Sequence, residues 1–192
     1  MTWMILGLVL FLGVHSVRIF AEPWRATMRA KMGENGWKGA YTAASLIGFA
    51  LIVWGFGQAR MEPVALWASP TWLRHVAGLL MLVSFVLLAA AYVPKNGIKA
   101  RLHHPMVLGV KVWAFAHLIA NNLLGETILF AAFLVWAVLC FRAARQRDAA
   151  AGTVYPPGTA AGTAITVVAG VIAWAVFAFW AHQALIGVRP FG

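Results

Sequence analysis

Of the 192 residues, 62% are hydrophobic and only 10% are charged, against about a quarter in a soluble domain, which excludes a water-facing globule. The length fits one domain. A net charge of +10 would suggest nucleic acid in a soluble protein, but the cations sit between apolar runs, where membrane topology accounts for them and nucleic acid is excluded as a partner. The single cysteine, Cys140, permits no internal disulfide. The apolar N-terminus lacks a basic leading segment and an A-x-A cleavage site, so it reads as a retained span.

A bilayer-crossing helix needs about 20 mostly apolar residues. The pattern predicts an all-α, polytopic transmembrane helix bundle of about six spans forming one domain over residues 1–192. The first is expected from Thr2 to Phe20, stopped by Glu22 and Pro23. The second covers Ala40 to Gly57, and the third Leu73 to Val93 before Pro94. A fourth opens at His104-Pro105, with proline in a favoured first-turn position, and runs to Leu124. After a very short turn the fifth covers Thr127 to Phe141, and the sixth runs from Ala161 to Ile186 beyond the Pro156-Pro157-Gly158 linker.

Charge sets the orientation. Arg18, Arg25, Arg29, Lys31 and Lys38 lie in or beside the first connection; Lys95, Lys99 and Arg101 lie in the third; Arg142, Arg145 and Arg147 lie in the fifth. The opposite side has Arg60, Arg74 and Arg189. Eleven cations against three place both termini outside, on the far side of a bacterial inner membrane.

All five acids, Glu22, Glu34, Glu62, Glu126 and Asp148, fall in expected loops or at span ends, so paired carboxylates for acid–base work are not expected. Nucleotide and zinc-protease fingerprints are absent, which leaves the six histidines. His75 reads as interfacial, and the many tryptophans near span ends read as belt residues. His104 reads either as a helix-start residue or as a ligand. His15 and His117 each lie about 12 residues from opposite membrane faces, about 18 Å deep at 1.5 Å per residue. Matched depth on two helices suits axial ligation of a haem iron; the bland alternative is a hydrogen bond across a helix interface.

Around His117 the helical stripe holds Val110, Ala114 and Asn121: Ala114 leaves room for a flat macrocycle and Asn121 adds a polar group. One turn from His15 stands Arg18, able to pair with a propionate or to act as a positive-inside anchor. Lys111 shares a face with His104, with Asn122 further along, and either snorkels or pairs with an anion. His182 is a candidate third site near the end of the last span. No C-x-x-C-H occurs, so any haem would be non-covalent, haem b rather than c-type.

The stretch HHPMVLGVKVWAFAHLIANN, His103 to Asn122, resembles the signature of the NnrU family of small bacterial membrane proteins, associated by name with nitrite and nitric oxide metabolism. The H-S-x-R run at His15 to Arg18 and the run from His182 to Pro190 fit as well, so the resemblance spans the chain. That family is similar to the haem-containing 15-cis-zeta-carotene isomerases. The resemblance implies a haem b iron ligated by His117, with His15 as counterpart, in a redox or accessory role for denitrification. It also implies the alternative of a haem-dependent cis–trans isomerase of a polyene. Ala114 stands where the isomerases are believed to use a switching cysteine, which weakens that alternative. His104, Pro105 and Gly109 also resemble the entrance of isoprenylcysteine-type methyltransferases, but no downstream acidic pair follows. The expected partners are the lipid bilayer and either a small lipophilic substrate or a membrane redox partner.

Overall fold

The computed structural model describes residues 1–191, and they are helical with no strand among them. Helix α1 spans Thr2–Phe20. Helix α2, Glu22–Met61, begins in the expected loop and is interrupted at Gly33 (φ 72°, ψ 166°), where only glycine is unstrained. Glu22 and Pro23 therefore do not open a loop: proline sits in the first turn, where its missing N–H is no loss, and Arg25 holds Glu22 through bonds of 2.8 Å. That hydrogen bond keeps the Glu22 carboxyl below the usual carboxylate range.

Helix α3 spans Trp72–Tyr92, and the short α4, Gly97–Leu102, is capped by Asn96, whose side chain accepts from the Lys99 amide. Helix α5, Pro105–Ala120, ends four residues before its expected limit. The backbone from Asn121 leaves the helix to pair antiparallel with the outer loop: Leu66 N–H donates to Asn122 O and Leu124 N–H to Val64 O, both at 2.9 Å. Helix α6, Leu124–Ala151, is correspondingly longer at both ends than the expected fifth span. Helix α7, Ala160–Val176, passes through a π-helical turn, Phe177–Ala181, into α8, His182–Ile186.

Five of these helices are long and apolar enough to cross a membrane. The 16 residues of α5 are apolar but rise only about 24 Å, short of a 30 Å hydrocarbon core. Outward-facing side chains are large and apolar, among them Val9, Phe20, Leu46, Phe49, Leu79 and Phe179, each more than half exposed, as a lipid-facing surface requires.

The packing order places α6 between α1 and α5: α1 lies against α2 and α6, α5 against α6 and α3, and α3 against α7. Small residues set these distances. A Cβ on Gly55 would stand 2.1 Å from the Met4 amide, and one on Gly48 2.8 Å from that of Phe11. Close backbone approach of this kind is how helices associate where no hydrophobic drive exists between them. Across α3 and α5, Ser84 Oγ donates to Gly109 O at 2.9 Å in a fully buried contact, so Gly109 is spent on helix packing.

Candidate haem-ligand histidines and a polar cluster at the basic end

His15 lies five residues before the end of α1, where its Nδ1 meets Phe11 O at 2.6 Å. On α5, His117 Nδ1 meets Trp113 O at 2.9 Å. A third histidine, His182, repeats the arrangement with Val188 O at 2.7 Å. A carbonyl oxygen only accepts, so in each ring Nδ1 must carry the proton. The neutral imidazole then has its lone pair at Nε2, and a backbone tether of this sort is how proteins fix ligating histidines.

Donor chemistry therefore suits a haem iron; the packing between His15 and His117 does not suit one iron shared by both. His15 stacks on Phe11 at 4.2 Å, Phe11 contacts Phe133 at 5.9 Å, Phe133 meets Trp113 at 5.3 Å, and Trp113 meets His117 at 5.5 Å. Nor is the depth matched. On α6, His15 meets Trp136 and His117 stacks on Phe130, six residues apart or about 9 Å along the axis. His117 stands in the last turn of α5, three residues before its end.

The supporting residues divide. Ala114 is fully buried in helix packing. Asn121 is the residue at which α5 ends, its amide bonded to His117 O. Arg18 is largely exposed and lies 3.9 Å from Glu22. Lys111 is half-buried and makes no hydrogen bond or ion pair with the described residues. Asn122 ties the outer loop, its Nδ2 donating to Trp67 O at 2.6 Å, while His75 stacks on Phe191. Beside His15 lie Tyr41, at 5.2 Å between rings, and Trp136, whose buried indole N–H has no partner among the described residues.

His104 is engaged elsewhere, in a cluster that sequence reasoning missed. Asp148 is not a solvated loop residue: it sits on the extension of α6, its side chain only 17% exposed. His104 Nε2 donates to Asp148 Oδ2 at 2.8 Å and the Tyr155 hydroxyl to the same oxygen at 3.0 Å. Burial alone would raise the Asp148 carboxyl, but these two bonds and the adjacent imidazoles hold it below its ordinary value. His103 stacks on Tyr155 at 4.1 Å and accepts from Arg145. The His-His doublet and the R-x-x-D spacing of Arg145 and Asp148 were the available signals; neither says that α6 continues past Phe141 to bring them together. No group of three or more metal-ligating side chains occurs among the described residues.

The family model described as NnrU protein matches residues 3–190. No curated protein and no solved structure matches.

Proposed function

The chain belongs to the NnrU family, and from that premise we propose that it is a haem b-binding protein of the bacterial inner membrane with a redox or accessory role in nitrite and nitric oxide metabolism. The carrying observation is the common tether of His15, His117 and His182, each with Nδ1 on a backbone carbonyl and Nε2 left as the lone pair. His117 is the ligand common to every pairing. His15 or His182 would join it, His15 only if Phe11, Phe133 and Trp113 repacked. A bound haem would supply one-electron chemistry, and an open axial position would admit nitric oxide. In the same reading the chain crosses the bilayer six times, the short α5 included, with both termini outside.

An optical spectrum of detergent-purified protein expressed with ample haem supply, oxidised and dithionite-reduced, tests the proposal. A Soret band lost in His117→Ala supports it; protein free of haem, or haem retained at full occupancy in His117→Ala, overturns it.

A further inference from the structure

The cluster at the basic end of the bundle has a defined proton arrangement. His103 Nδ1 contacts Arg145 Nη1 and lies 3.9 Å from Asp148 Oδ2. The Asp148 carboxylate only accepts, so His104 Nε2 carries a proton. The remaining His104 nitrogen, Nδ1, makes no hydrogen bond to the described residues, although the ring stands at the N-cap of α5. His103 holds φ 69°, ψ −53°, with His104 N–H bonded to Leu102 O at 2.9 Å, a tight turn that β-carbon sterics disfavour. Strain of this kind persists only where surrounding contacts impose it; here it turns two consecutive imidazoles toward one carboxylate.

We propose that His104 is a general base in a second site, with Asp148 as its positioning residue, for an amphiphile bearing a weakly acidic hydroxyl, of the phenol or hydroquinol class. Placement selects the class: His104 opens the apolar helix α5, Leu102 and Met106 beside it are exposed, and Phe141 meets its ring edge-on at 6.2 Å. A tail lies along those apolar side chains while the hydroxyl reaches Nδ1. A phosphate dianion is disfavoured, since the Asp148 carboxylate stands directly behind the ring at 2.8 Å. In the step, the hydroxyl O–H bond breaks and an N–H bond forms at His104 Nδ1. The imidazolium is held by Asp148 at 2.8 Å, the oxyanion stays against it as counter-ion, and no electrons change hands.

The test uses full-length protein in detergent and a chromogenic probe, 2-nitro-4-octylphenol, whose phenolate is coloured. At a pH equal to the probe's own pKa in empty micelles, wild-type protein should raise the ionised-to-neutral ratio at least about three-fold, half a pKa unit. His104→Gln should abolish the rise. Asp148→Asn should remove most of it while the probe still binds, and the 15N spectrum of the His104 ring should shift from the Nε2–H tautomer toward Nδ1–H. A helical circular dichroism spectrum equal to wild type qualifies each variant, with Tyr155→Phe, expected to reduce the rise partially, as the milder alternative. No rise in wild type, an equal rise in His104→Gln, or an unchanged tautomer in Asp148→Asn overturns the proposal. Haem content should be the same in His104→Gln as in wild type, so failure here is separable from failure of the haem reading.

Discussion

The imidazoles of His15 and His117 are joined by a run of ring contacts through Phe11, Phe133 and Trp113, and they meet α6 six residues apart, at Trp136 and Phe130. Three aromatic side chains thus fill the space that one iron shared by both histidines would need.

That packing separates the candidate ligands. His117→Ala should lose most of the bound haem, since its axial bond disappears. Of His15→Ala and His182→Ala, the one that also shifts the Soret band identifies the partner. If the partner is His15, Phe133→Ala should raise haem occupancy by removing a ring that must move. Pyridine haemochrome at matched protein concentration reads the haem content of all four, and the spectrum of the untreated protein reads the Soret position. Equal haem in wild type and the three histidine variants would remove these residues from consideration.

The topology is checked by thiol labelling in intact cells, on a Cys140→Ser background. Cysteines at Asn35, Arg101 and Ala150, all exposed, should be protected from an impermeant external reagent. Labelling from outside at any of the three positions would break the six-span arrangement.

Gly55→Ala should destabilise the α1–α2 pair. Its Cβ would lie 2.1 Å from Met4 N and 2.7 Å from Met4 Cα, backbone atoms that cannot swing aside. Overpacking of this kind costs about 1–3 kcal/mol. Gly57→Ala, two residues on, meets nothing within 4 Å and should be near neutral or slightly stabilising, because alanine is the better helix former. Thermal unfolding in detergent compares the two; equal shifts would mean that the α1–α2 approach is wrong.

Asp148 gives stability a pH signature. Its carboxyl is depressed in the folded protein, so the unfolded chain takes up a proton first as pH falls. The contribution is therefore full above the ordinary value of 3.8 and is lost as pH drops through the lower folded value. Asp148→Asn should unfold at lower temperature than wild type at pH 7, and the difference should shrink below about pH 4. A constant difference from pH 7 to pH 3 would show that the carboxylate charge contributes nothing. Glu34, exposed and paired with Lys38 at 2.7 Å, should by contrast be replaceable with little effect on stability.

That the chain is helical and apolar enough for lipid follows from residue order alone, because 20-residue apolar runs have few other fates, and the bounds of α1, of α3 and of the continuous run from α7 through α8 fall within a residue or so of those expected. The motif from His103 to Asn122 also identified the family, which is a matter of residue order alone. Helix ends were decided elsewhere. Asn121 leaves the helix because the loop at Val64 and Leu66 offers its strand backbone partners, a long-range pairing without local signature. That departure leaves His117 in the last turn of its helix. Likewise Asp148 stands in a charged run that any reading assigns to solvent, until α6 extends past Phe141 and sets it against His104 and Tyr155, 44 residues back and 7 ahead. Which ionisable groups meet depends on where helices stop and which neighbours they pack against, and in this chain both are fixed by contacts between residues far apart in sequence.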